Sequence, residues 1–162
     1  MGSQRNYWLM KTEPDVFSFE DLVNSPNSIS CWEGVRNYQA RNFMRDEFRI
    51  GDGVLIYHSR QKFPAVVGVA EVVREAYDDF FALNPKSPYF DEKSAKIKKS
   101  RWVMVDVQAH SAFKTPVTLQ QCRQEKTLKD MLLIKPGQRL SIQPVRKSQW
   151  DFIINLGEST DL

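Results

Sequence analysis

Two apolar, β-branched stretches, Val54 to Ser59 and Ala65 to Glu75, stand five residues apart and predict a hairpin across Arg60 to Pro64. In the first, Leu55, Tyr57 and Ser59 share one face of a strand and Val54, Ile56 and His58 the other. Gly68 inside the second marks a bulge. Tyr7 to Lys11 predicts an earlier strand ended by Pro14 and Asp15, and Trp102 to Val107 a later one with Val103, Val105 and Val107 on one face. Gly51-Asp52-Gly53 reads as a turn, and Gly137 turns the chain into a strand over Arg139 to Gln143. Ser18 with Asp21, Thr118 with Gln121, Thr127 with Asp130 and Ser148 with Asp151 each have capping-box spacing, so short helices are expected at those points. The last of them should bury Trp150, Ile153 and Ile154. Strands interleaved with short helices and irregular loops suggest an α+β domain, a curved mixed sheet or small barrel with helices against it.

Cys31 to Arg41 is the richest stretch chemically. Gly34 permits a tight turn, and Ala40, Phe43, Met44 and Phe48 have helical spacing, which predicts a helix from Val35 or Arg36 to about Phe48. The first amides of such a helix lack intrahelical partners and make a donor set for a phosphate or a base carbonyl. Trp32 would stand just before them, and Asn37 has the planar donor–acceptor chemistry that reads a base edge. Arg41 and Arg45 follow on one helical face. The bland alternative makes Trp32 core, Asn37 a cap and the arginines a solvated stripe.

Between Asp78 and Ser100 the periodicity disappears, yet Phe80, Phe81, Tyr89 and Phe90 sit there with Lys93, Lys96, Lys98, Lys99 and Arg101 after them. Aromatics beside cations can wall a single strand or an everted base. A flap that covers a sheet edge is the structural alternative.

The whole chain sets limits on these readings. With 162 residues it is long enough for one domain with a real core, expected over 7–158 between short tails at 1–6 and 159–162. A net charge of only +3 excludes a histone-like blanket, so nucleic-acid binding would rest on local patches. The two cysteines, Cys31 and Cys122, have no framework spacing and read as reduced thiols of a cytosolic or nuclear compartment. No stretch approaches transmembrane length, and the N-terminus has no apolar signal segment, so no membrane partner is expected. The two histidines and two cysteines lack zinc spacing, and no metal or cofactor is expected. Catalysis finds little to work with. His58 and Ser59 point to opposite faces of one strand, no deaminase signature is present, and Cys31 with His58 is the remaining nucleophile–base pairing.

Lys11-Thr12-Glu13-Pro14-Asp15-Val16-Phe17-Ser18, Trp32 through Phe43, Tyr57-His58-Ser59 and Arg139 through Val145 together resemble the EVE domain family, in order and across essentially the whole chain. The resemblance implies the PUA-like architecture, a β-barrel flanked by helices, related to the YTH domains that read methylated adenine in RNA. It implies a non-catalytic reader of a modified base, of the 5-methylcytosine type in DNA, cytoplasmic in a bacterium or nuclear in a eukaryote. An RNA-binding module of the YTH/PUA type and a peptide-binding module are the alternatives.

Carried over by position, Trp32 is the stacking wall and the amides of Glu33, Gly34 and Val35 are donors. Lys11, Thr12 and Asn37 are the polar rim, and Tyr57 with Ser59 the floor. The second wall is Tyr89 or Phe90, with Trp102 as an alternative. Apart from the resemblance, charge alone makes Arg36, Arg41, Arg45, Lys98, Lys99 and Arg101 the expected phosphate contacts. Thr12 stands where many members have Ser, and Arg60 and Ala65 where they more often have Asn and Gly, so the hairpin tip departs from the family pattern.

Overall fold

A computed structural model describes residues 4–162. Its centre is a six-stranded mixed sheet in the order β2-β5-β4-β3-β1-β6, formed by β1 (Tyr7–Thr12), β2 (Ile29–Cys31), β3 (Gly53–His58), β4 (Ala65–Asp78), β5 (Val103–Thr118) and β6 (Ile142–Val145). β1 and β3 run parallel, Leu9 opposite Leu55, while the other neighbours are antiparallel. The expected hairpin is β3–β4, with a register shift at Ile56/Tyr57. The bulge near Gly68 shows as a second shift against β5, between Val66 and Gly68. A Cβ on Gly68 would lie 2.5 Å from the Phe19 ring, so the bulge coincides with a place where a helix residue rests on strand backbone.

Both faces of the sheet are covered, which is why β3 reads as a nearly continuous apolar run. On one face Trp8, Met10, Val54, Ile56, Val105 and Val107 pack against Phe19 and Leu22 of α1 (Phe19–Val23), and Ala40 and Met44 of α2 (Tyr38–Asp46). On the other, Leu9, Leu55, Tyr57, Val69 and Val117 meet Cys122 of α4 (Leu119–Gln124) and Trp150, Ile153 and Ile154 of α5 (Lys147–Leu156). The Ser18–Asp21 capping box and the Thr118 cap form as their spacing predicts, each polar side chain accepting from a first-turn amide.

Five local expectations change. α5 starts at Lys147, with Arg146 at the cap position and the Gln149 side chain accepting from the Arg146 amide (2.9 Å), so Ser148 and Asp151 form no capping box. β5 runs on for sixteen residues, well past Val107, because Gln108 to Thr118 pair with β4 from Glu71 back to Ala65 through several bulges, while the far end of β4, at Asp78, lies opposite Val103. Thr127 and Asp130 do not start an α-helix; the chain there makes two three-residue 3-10 turns, Lys126–Leu128 and Leu132–Ile134. The strand expected over Arg139 to Gln143 begins instead at Ile142, where pairing with β1 begins opposite Met10. The aperiodic stretch after Asp78 contains a 3-10 turn, Phe80–Leu83, and α3 (Glu92–Ile97), whose cap is Asp91.

The ends are tied down. The Asn6 amide donates to Asp52 Oδ1 (3.1 Å), and the Trp150 indole donates to Asp161 Oδ1 (3.0 Å).

Candidate functional site

The parallel pair stops at one level. The Ser59 amide donates to the Thr12 carbonyl (2.9 Å), which brings the carboxyl ends of β1 and β3 side by side. The crevice outside such ends is where open α/β sheets take ligands. Here a cavity of about 910 Å³ opens, walled by the ends of β1 and β3, the Cys31–Arg36 loop, Pro88–Tyr89 and the segment before β6.

Trp32 lines this cavity, yet it is only 8% exposed and belongs to the core, its ring edge-on to Phe17 at 6.0 Å between centroids. It is a core residue that also borders the cavity. Tyr89 is the other aromatic from the expected wall set that lines the space. Phe90 is exposed and outside it, and Trp102 is buried beside Tyr38 at 5.0 Å, stacked away from the lining. Lys11, Thr12, Glu33, Gly34, Val35 and Ser59 also line the cavity.

Three expectations about this loop are corrected. α2 begins at Tyr38, not at Val35 or Arg36, because the Asn37 side chain accepts from the Ala40 amide (2.9 Å) and caps it there. Asn37 is therefore a cap and does not line the cavity. The Gly34 amide is spent on Asp79 Oδ2 (2.9 Å), while among the described residues the Glu33 and Val35 amides have no protein acceptor. Tyr57 faces the opposite core, where burial pushes its phenol up to about 12, and so cannot be the floor.

The sequence-based set lacks the residue that assembles the loop, Asp79. Its fully buried carboxylate accepts from Gly34, from Arg36 Nη1 (2.9 Å) and from the Phe81 amide (3.0 Å). Arg36 Nη2 then donates to the Tyr89 carbonyl (2.7 Å), and the guanidinium lies 5.8 Å from the Tyr89 ring centroid. One buried ion pair thus ties the Trp32 loop to the Tyr89 loop. Removal of either partner from such a pair leaves a desolvated charge, which is why both loops hold one arrangement. Its local role is to cap the Phe80–Leu83 turn, and nothing near it in sequence points to the joint, since the partners on the Trp32 loop lie 43 and 45 positions away.

Gly34 completes the joint. Its φ is +87°, and a Cβ there would stand 2.5 Å from Tyr89 Cε1. The Tyr89 ring rests on bare backbone.

The expected phosphate contacts disperse. Arg36 lines the cavity but is held by Asp79. Arg41 donates to the Arg101 carbonyl (3.1 Å), and Arg101 is paired with Asp91 (2.9 Å), whose carboxyl is held well below the usual range first by that guanidinium. Arg45 pairs with Asp46 (2.8 Å) on the surface. Lys98 and Lys99 are exposed at the end of α3 and apart from the cavity. The cations that do line it, besides Lys11 and Arg36, are Arg60 and Arg139. Burial lowers the Lys11 ammonium pKa, and its Nζ sits 5.8 Å from the Tyr57 centroid.

A Cys31–His58 pair does not form. Cys31 lines the cavity, but burial and then the Glu33 carboxylate push its thiol up to about 12, and Sγ donates to Glu33 Oε2 (3.3 Å). His58 accepts the Phe19 amide on Nε2 (3.0 Å) and is outside the lining. Among the described residues no cluster of three His, Cys, Asp or Glu could hold a metal, and no helix is long and apolar enough to cross a membrane.

Known proteins are similar to this chain in sequence and fold over nearly its whole length. Thymocyte nuclear protein 1 of Gallus gallus is 39% identical over 169 residues, 94% of this chain and 69% of that protein. A hypothetical protein from Leishmania major is 46% identical with a TM-score of 0.89, each chain covered to 96%. Human THYN1, solved in complex with DNA containing 5-methylcytosine, is 38% identical with a TM-score of 0.88 over 96% of this chain and 99% of that one. The EVE domain model matches residues 6–156. With its PUA-like mixed sheet, this chain belongs to the EVE domain family.

Proposed function

We propose that this domain binds nucleic acid and, without chemical change, receives one everted modified base, of the 5-methylcytosine type in DNA, in the cavity beside Trp32 and Tyr89. The observation that carries the reading is a single cavity lined by an indole, a phenol, cations and unspent backbone donors. Its volume, about 910 Å³, lies within the range of roughly 300–1,000 Å³ typical of small-ligand sites. The complex of the human relative with 5-methylcytosine DNA supports the choice of base.

The lining matches a pyrimidine's needs. The rings supply stacking worth about 1–3 kcal/mol per base. The Lys11 ammonium and the Glu33 and Val35 amides are donors for ring and carbonyl acceptors, and the Glu33 carboxylate is an acceptor for an exocyclic amine. Thr12 Oγ1 spends its proton on the Phe17 carbonyl (2.6 Å) and so presents lone pairs. Val16 and Phe17 give apolar surface for a methyl group. Arg60 and Arg139, at the same opening, are the phosphate contacts of this reading. The Cys31 thiol, pushed up to about 12 by burial and by the Glu33 carboxylate, and a His58 engaged elsewhere favour recognition over nucleophilic chemistry.

Oligonucleotides carrying cytosine, 5-methylcytosine, 5-hydroxymethylcytosine or N6-methyladenine, in deoxy and ribo backbones, are titrated by fluorescence anisotropy. The tightest binding is expected for methylated deoxycytidine, with a preference over cytosine of at most about 10–200-fold, the worth of one methyl in an apolar pocket. Equal affinity for all bases refutes the reading. A preference confined to ribo-oligonucleotides moves it to RNA.

A further inference from the structure

The β3–β4 hairpin tip, Ser59 to Pro64, begins at the cavity: Ser59 and Arg60 line it. The tip is held at both roots, by the Ser59 amide on the Thr12 carbonyl (2.9 Å) and by the Leu119 amide on the Pro64 carbonyl (2.8 Å). Arg60, in the left-handed region at φ +53°, is paired with Glu13 (2.8 Å), and the Gln61 carboxamide donates to the Phe63 carbonyl (3.0 Å). From this braced loop Phe63 projects 63% exposed, and the Lys62 ammonium lies 5.5 Å from its ring centroid. Single exposed apolar residues are common. This one differs in being presented by a pinned loop, beside a cation, on the same turn whose first two residues line the cavity.

We propose that this tip is the duplex-facing element of the site, with Phe63 filling the gap that the everted base leaves in the stack and Lys62 on an adjoining phosphate. The proposal rests on the base-eversion reading above. A base taken from a duplex leaves unstacked neighbours, and apolar wedges such as Phe and Leu are the side chains that proteins insert at such steps. A single strand has no such gap. Phe63 therefore acts on duplex substrates and not on single-stranded ones, which separates it from Trp32 and Tyr89, whose contacts are with the base itself.

The test compares Phe63→Ala, Phe63→Leu and the parent on one 5-methylcytosine sequence, as duplex and as single strand. Phe63→Ala is expected to weaken duplex binding roughly ten-fold and single-strand binding less than about two-fold, with Phe63→Leu near the parent on both. Thermal unfolding of Phe63→Ala should match the parent, since the ring is exposed. Lys62→Ala should lower the slope of log Kd against log salt by about one on the duplex. Equal losses on both substrates, or no loss on the duplex, overturn the wedge while the cavity reading stands. A parent indifferent to methylation on either substrate overturns both.

Discussion

Gly34→Ala tests the joint between the two loops. At φ +87° an alanine pays about 1–2 kcal/mol for left-handed backbone. Its Cβ would also stand 2.5, 2.6 and 2.8 Å from three carbons of the Tyr89 ring. The backbone of Gly34 is held by Asp79, so relief falls to the tyrosine, which is half-buried on a loop and can swing outward. Stability should then fall by little more than the backbone cost, a drop in Tm of about 2–8 °C for a chain of this size. Binding should fall further. If Tyr89 is a stacking wall worth about 1–3 kcal/mol, its displacement weakens methylated-oligonucleotide affinity roughly 5- to 150-fold. The assay is a double-mutant cycle with Tyr89→Ala, read by anisotropy and thermal unfolding. With the ring already removed, Gly34→Ala should cost stability through φ alone and no further affinity. Parental affinity in the single variant, or the same affinity loss in both backgrounds, refutes the account of Tyr89 resting on bare backbone as a wall.

Asp79→Asn should destabilise the fold by about 3–5 kcal/mol, because Arg36 and the Gly34 amide lose a buried charge; chemical denaturation measures it, and a loss under 1 kcal/mol removes Asp79 from its organising role. Trp32→Ala should lower stability as well as binding, by about 3–5 kcal/mol for a buried indole, whereas Trp32→Phe should keep the fold and separate stacking from packing. His58 is held below its usual pKa mainly by burial, so the unfolded chain takes up its proton first. Stability should therefore decline as pH drops through about 6.5, the unfolded value, toward the lower folded pKa. Thermal scans between pH 5 and 7.5 should show that slope in the parent and lose it in His58→Asn. Cys31, raised to about 12, should react with iodoacetamide at pH 8 much more slowly than a free thiol; fast alkylation in the native state refutes its thiol form.

Local chemistry settled a good deal before any contact was known. Aromatic and apolar residues marked β1 and β-branched runs marked β3 and β4; the hairpin and the Gly68 bulge follow from residue type, and Ser18 and Thr118 cap the helices they precede. These are short-range effects, carried by residues within one turn or one strand pair. The helix start at Thr127 failed because a cap spacing states what is permitted and packing decides what forms. The start near Val35 failed because apolar spacing does not fix a first residue, which the Asn37 cap sets at Tyr38. Asn37 looked equally suited to a base edge and to a cap, and the amide of Ala40, three residues on, took it.

From the sequence alone came the α+β class, the EVE likeness and a candidate list centred on Trp32, because motif residues and periodic patterns lie close together in the chain. Tertiary structure decided which of those candidates meet. It sent Tyr57 to the far core, chose Tyr89 over Phe90 and Trp102, drew Arg41 and Arg101 into internal pairs, and brought Arg60 and Arg139 to the opening instead. The reason is that a buried charge must find its partner wherever the chain folds. Asp79 meets Arg36 across 43 positions, and that separation has no signature in a local pattern.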